Sequence, residues 1–230
     1  MITGIISFVA YILTMAKFIT KRIGNHKLDV FAQKVHKISS SVLIVSTIIH
    51  FILVWKLRYQ RPIGMTISGL AMIICVVTIL FSHIFAKHLG KRWLPIHRSA
   101  SFLIIICLMV HVFLGISSFN TYQKIISSIS FSEKIDTKDV ADGIYVGDFD
   151  AGYIYAKVRI TVSDNRIASA SILEHRNEHG QLAEQIPSKI VKNNTVYVDA
   201  ISGATNSSKV IIKATENALR NKGAILYVPE

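Results

Sequence analysis

The sequence predicts a membrane α-helical bundle of four transmembrane helices followed by a small α+β domain. Three observations carry this. Four apolar runs, at 2–20, 38–55, 63–86 and 99–119, approach or exceed the roughly 20 residues that a hydrocarbon core of about 30 Å requires. The charge divides along the chain: residues 1–139 hold 16 Lys/Arg against 4 Asp/Glu, whereas residues 140–230 hold 10 of each. Past residue 141 the long apolar runs give way to alternating strand patterns and amphipathic helices within about ninety residues, enough for one small core.

The first run has no basic residue before its apolar core and no small-residue cleavage site after it, so it reads as a retained helix and not a secretory leader. The whole excess of +12 belongs to the first part, where Lys and Arg occupy short loops between apolar runs. That is the pattern of a membrane protein and excludes a nucleic-acid partner as the reason for the basic balance. Lys21, Arg22, Lys27, Lys34 and Lys37 follow the first run, and Lys87, Lys91, Arg92 and Arg98 follow the third. The middle loop holds only Lys56, Arg58 and Arg61. Nine against three places the first and third loops in the cytoplasm. The expectation is a multi-pass protein of the cytoplasmic (inner) membrane, with both termini and the domain at 142–230 outside.

Cys75 and Cys107 both fall deep in apolar runs and read as small core residues; they cannot staple the outer domain. The histidines are more informative. His36 and His50 lie on the second span, His97 and His111 on the fourth, each pair 14 residues apart. That spacing returns to within about 40° of one helix face after about 21 Å of rise. The second and fourth spans run parallel, so His36 and His97 share a depth near the cytoplasm, and His50 and His111 share one near the outside. His36 and His97 stand at helix ends, where a histidine costs little; His50 and His111 are deeper, where ionisable residues are costly and functional more often than not. One imidazole from each of two helices is what a bis-histidine haem needs. His83, on the third span near the cytoplasmic face, stays open as a replacement for His36 or His97. Lys37 and Arg98 each follow an inner histidine; anchoring at the inner surface accounts for them, with haem propionates as alternative partners. His26, His88, His175 and His179 read as loop or surface residues. No C-x-x-C-H occurs, so any haem is not attached c-type.

The repeated H-x13-H pattern over residues 35–118 resembles the ferric-reductase-like transmembrane family. The resemblance implies a cytochrome b domain with two non-covalent b haems, ligated by His36 with His97 and His50 with His111.

In the second part, Asp142-Gly143-Ile144-Tyr145-Val146-Gly147 opens a strand, 153–162 alternates in a second, and 166–174 in a third. Residues 181–192 read as helix with a break at Ile186-Pro187, 196–198 as a short strand, and 210–219 as an apolar-striped helix. Between the last two stands Asp199-Ala200-Ile201-Ser202-Gly203-Ala204-Thr205. Gly203 permits close approach to the backbone, Ser202 and Ala204 are small, and Ser207 and Ser208 read as caps of the helix that follows. This D-x-x-S-G-A-T run, within 142–221, resembles the FMN-binding domain family, as in the FMN subunits of the sodium-pumping NADH:quinone reductase and of Rnf complexes. The resemblance implies a phosphothreonyl-FMN: a flavin transferase joins FMN covalently, through its phosphate, to the Thr205 hydroxyl, with Asp199, Ser202, Gly203 and Ala204 completing the attachment motif.

The domains read from the sequence are thus a haem-binding bundle at 1–119, a linker at 120–141 and an FMN-binding domain at 142–230. Tyr122, Ile125, Ile126, Ile129 and Phe131 give the linker an amphipathic, interfacial character. No G-x-G-x-x-G follows a strand, so the electron donor is a membrane quinol or a separate cytosolic protein. The expected function is transmembrane electron transfer through two b haems to covalent FMN outside, with an extracytoplasmic acceptor that no motif identifies. Two other classes stay open. One is an FMN-dependent reductase of ferric iron or a quinone, for which the sequence offers only His175, Glu178 and His179 as acid/base groups; the other is a non-redox anchor or sensor.

Overall fold

The computed structural model describes residues 2–131, 135–177 and 179–220. It divides into two compact units, the first ending at Leu114 and the second beginning at Gly115.

The first unit is helical: α1 (Ile2–Ile23), α2 (His26–Trp55), α3 (Ile63–Ile84), the single turn α4 (Ala86–Leu89) and the greater part of α5 (Trp93–Ser128). Among the described residues four helices are long and apolar enough to cross a membrane. Their large side chains face outward, Ile2 at 75%, Ile38 at 69% and Phe113 at 70% exposure, an arrangement that suits a lipid surround. Small and hydroxyl side chains are buried instead: Ala10, Ala32, Ser39, Ser46, Ser68, Ser82 and Ala100. These let helices approach closely. The Ser7 hydroxyl donates to Ser46 Oγ at 2.9 Å, and the Tyr11 hydroxyl to the Ser101 carbonyl at 2.6 Å.

The second and fourth helices are longer than their apolar runs. Asn25 caps α2 by accepting from the Leu28 amide, and Lys17 pairs with Asp29 at 2.7 Å, so the polar turns before residue 38 are helical too. His26 therefore begins α2 and is not a loop residue, His88 lies in α4, and His36 stands well inside α2. α5 has 36 residues, about 54 Å by its rise, well beyond what a bilayer needs.

The last turns of α5 belong to the second unit. Residues 120–128, read from the sequence as linker, continue the helix, and Tyr122 and Ile126 are buried in that unit's core. Three antiparallel strands follow in the order β1 (Gly143–Asp150), β2 (Tyr155–Ser163) and β3 (Arg166–Arg176). The β2–β3 turn sits on Asp164 and Asn165, whose φ of 53° and 59° give the doubly left-handed turn that matches strand twist. Alternation buries Ala156, Val158, Ile160 and Val162 on one face. Against that face lies α7 (Thr205–Arg220), presenting buried Val210, Ile211, Ala214 and Ala218. Gly147 permits the contact: a Cβ there would lie 2.3 Å from the Ala218 nitrogen. The helix expected at 181–192 divides where the sequence places its break, into a 3-10 segment Gln181–Gln185 and α6 (Ile186–Asn193), with Pro187 in its first turn. Residues 196–198, expected as a strand, are not one. Val196 is buried as a single core side chain, and the Tyr197 amide turns to the Thr195 hydroxyl at 3.2 Å instead of a neighbouring strand.

Candidate functional site

The chemistry-bearing residues form one set in each unit. In the second unit the D-x-x-S-G-A-T run leads directly into α7. Gly203 takes φ +79°, with nothing within 4 Å of where its Cβ would stand. The Ala204 amide returns to the Ile201 carbonyl at 3.0 Å, closing the turn. Thr205 is then the first residue of α7, and it is exposed. Asp199, Ser202 and Gly203 are exposed as well, whereas Ala204 is buried.

Ser207 and Ser208 do not cap the helix from outside. They lie in its first turn, 2% and 0% exposed. Ser208 Oγ accepts from the Ile201 amide at 3.0 Å and donates to the Ala204 carbonyl at 2.9 Å, pinning the loop to the helix. Ser207 packs under Gly180, where any Cβ would collide with the serine hydroxyl. The result is a pinned turn that presents the exposed Thr205 at a helix N-terminus. The first amides of a helix lack intrahelical acceptors and the helix dipole favours negative charge there, so a phosphate on this hydroxyl meets a complementary field.

Asn206, next to Thr205, donates from Nδ2 to the Tyr122 hydroxyl at 2.8 Å. Tyr122 packs on Tyr153 with ring centroids 5.1 Å apart, and Phe119 touches both. Sequence reasoning did not find this set. On the far side of α7's first turn, Asn177 Oδ1 accepts from the Gly180 amide at 2.6 Å. The His175 side chain, expected at the surface, is 2% exposed and holds Glu184 at 3.0 Å. Glu178, weighed with it as an acid/base group, lies outside the described residues.

In the first unit the fold brings one predicted pair of histidines, His36 and His97, ring to ring. The His36 and His97 rings stand 6.4 Å apart between centroids, inclined by 53°. His50 and His111 lie within electrostatic reach of each other. Three of the four engage Nδ1: His36 with the Thr14 carbonyl at 3.0 Å, His50 with Thr3 Oγ1 at 3.2 Å, and His111 with Ser68 Oγ at 3.0 Å. A carbonyl only accepts, so His36 carries its proton on Nδ1. Ser68 Oγ also reaches the Met65 carbonyl at 3.1 Å. In the His36 ring Nε2 keeps its lone pair. His97 Nδ1 is buried without a partner. Gly4 and Gly69 lie beside the His50 and His111 rings; a Cβ on Gly4 would come within 3.1 Å of the His50 ring. His83 lies within electrostatic reach of His97. Among the described residues no cluster of three or more His, Cys, Asp or Glu groups could hold a bare metal ion.

A small α+β domain behind four helices able to cross a membrane is the class that this architecture defines. A family model described as FMN-binding domain matches residues 152–220. The match begins after β1, later than the resemblance read from the sequence, and ends with α7. Together, an FMN-binding domain and membrane-spanning helices point to a membrane flavoprotein of electron transfer. Neither the comparison with curated proteins nor that with solved structures returned a match.

Proposed function

We propose that this chain is a membrane cytochrome b joined to a covalently flavinylated domain, carrying electrons from a quinol in the membrane to FMN outside it. The observation that carries the proposal is the apposition of His36 and His97 on two membrane-length helices in a chain whose residues 152–220 match an FMN-binding domain.

The residues fit the groups. With a metal–imidazole bond of about 2 Å and a ring radius of about 1 Å, one iron would fit between two imidazoles whose centroids stand roughly 6 Å apart. His36 and His97 stand at 6.4 Å. Protonated Nδ1 atoms turn Nε2 toward the metal, as orienting partners of metal-bound histidines do. His36 with His97 and His50 with His111 would each hold a b haem, in agreement with the ferric-reductase-like reading of 35–118. Neighbouring His83 is the candidate substitute at the inner site.

Haems held this way carry single electrons, and FMN exchanges them with acceptors that take one or two. Quinol oxidation would supply two electrons and release two protons, and a flavin held at Thr205 would supply a two-electron acceptor that draws its protons from its own side. The protein holds Thr205 Oγ open for esterification. An activated donor, a flavin dinucleotide, supplies the FMN phosphoryl group; a nucleoside monophosphate leaves, and the hydroxyl proton passes to the transferase. The excess of basic residues in the first and third loops supports a flavin domain outside the cytoplasmic membrane. Covalent attachment retains the flavin on the side where free FMN would diffuse away.

The test is purification of the full chain co-expressed with a flavin transferase. The wild type should show a b-type spectrum and flavin fluorescence that survives denaturing electrophoresis. Thr205→Val should lose the fluorescence and keep the haem. His50→Leu and His111→Leu should each lose one haem. Undiminished fluorescence in Thr205→Val, or full haem content in both histidine variants, overturns the corresponding assignment.

A further inference from the structure

The flavin at Thr205 is tethered by its phosphate, which leaves open where its ring rests. We propose that Tyr153, with Phe119 and Tyr122, forms the ledge on which the isoalloxazine lies. The proposal deepens the reading of Thr205 as the attachment site and rests on it.

The surroundings of α7's first turn decide the direction. The Ser207 side is closed by Gly180, which leaves no room even for a Cβ. The Ser208 side is turned into the core and occupied by its bonds to Ile201 and Ala204. Ser202 and Gly203 offer an exposed backbone and no side chain large enough to receive a ring. The Asn206 side is different. Its amide holds the Tyr122 hydroxyl at 2.8 Å, so an aromatic cluster begins one residue from the attachment hydroxyl.

Within that cluster Tyr122 is the buried base, 7% exposed. Tyr153 leans over it at 5.1 Å and 35°, and Phe119 meets Tyr153 edge-on at 6.1 Å and 79°. Phe119 is 46% exposed and Tyr153 is half-buried, so the cluster presents aromatic surface outward. A flat, electron-poor ring system is the ligand class that an electron-rich phenol face receives, by offset stacking. Tyr153 lies within the family match, whereas Phe119 and Tyr122 come from the last turns of α5, before it. The helix that ends the bundle thereby supplies part of the flavin's seat.

Stacking on a phenol favours the oxidised ring, which is planar and electron-poor, over the electron-rich reduced ring. Removing Tyr153 should therefore raise the flavin's midpoint potential. A roughly tenfold preference of the ledge for the oxidised form corresponds to about 30 mV for a two-electron couple.

The experiment uses the full flavinylated chain in detergent. Flavin content is read by fluorescence in a denaturing gel, and the flavin potential by redox titration. Tyr153→Leu is expected to keep its covalent flavin and shift the potential upward, with Phe119→Leu shifting it in the same direction. Tyr153→Phe, which retains a ring, should stay nearer the wild type than Tyr153→Leu. Wild-type potential in Tyr153→Leu at full flavin content overturns the ledge and leaves the attachment site standing. Absence of covalent flavin from the wild type overturns the attachment site, and the ledge with it, at the gel.

Discussion

Gly147→Ala puts one methyl group where the backbone of α7 already lies. The added Cβ would stand 2.3 Å from the Ala218 nitrogen, 2.5 Å from the Ala214 oxygen and 2.6 Å from the Ala218 Cα. Comfortable contacts lie near 3.5 Å, so α7 must retreat by about 1 Å. No rotamer change relieves this, because every clashing atom is backbone. The retreat loosens Val210, Ile211, Ala214 and Ala218, all buried between sheet and helix. Overpacking of this kind costs about 1–3 kcal/mol, and a backbone clash belongs at the upper end. Alanine also restricts the unfolded chain, which offsets about 0.4–1 kcal/mol. The net loss is then about 2 kcal/mol, a factor of roughly 30 in the unfolded population. With a urea dependence of about 2 kcal/mol per molar, the midpoint falls by about 1 M. Pulse proteolysis of the full chain in detergent, across a urea series, reads this directly. Gly152→Ala is the control: its φ of +87° strains any alanine, but nothing lies within 4 Å. Its cost is about 1 kcal/mol. A Gly147→Ala midpoint equal to wild type, or no lower than that of Gly152→Ala, would refute the close packing of β1 against α7.

Two further outcomes follow. Ser68→Ala removes the hydroxyl hydrogen-bonded to His111 Nδ1 and perturbs that imidazole alone; in an optical redox titration the outer haem's potential should shift while the inner one stays, and equal shifts in both would contradict the pairing. In a variant with Cys75 and Cys107 replaced by Ala, Lys192→Cys on the exposed side of α6 should react with an impermeant thiol reagent in intact cells, or in spheroplasts where an outer membrane exists; protection until lysis would place the flavin domain in the cytoplasm.

The parts of this molecule legible in the sequence are those governed by repeated local chemistry. Hydropathy marks the four helices because lipid demands apolar side chains all round. It misses the first turns of α2, which are polar and held by the Asn25 cap and the Lys17–Asp29 pair. Period-two alternation marks β2 and β3, whereas Val196 misleads as a strand because burial of one apolar side chain needs no sheet partner. The D-x-x-S-G-A-T run stands out in the sequence because its seven residues are consecutive. Asn206 and Tyr122 are 84 residues apart, and nothing at either position announces the other. The orienting partner of His36 is a backbone carbonyl, which leaves no trace in the residue type of Thr14. The same holds for Ser207, whose burial depends on the absence of a side chain at Gly180.

If the histidine pairs and Thr205 belong to one electron path, flavin reduction in membranes supplied with a quinol, followed optically in the flavinylated wild type and in His111→Leu, will show it. The wild-type flavin should bleach after the haems, and His111→Leu, with its outer haem gone and its covalent flavin retained, should reduce the flavin at least tenfold more slowly. Flavin reduction at the wild-type rate in His111→Leu would contradict it.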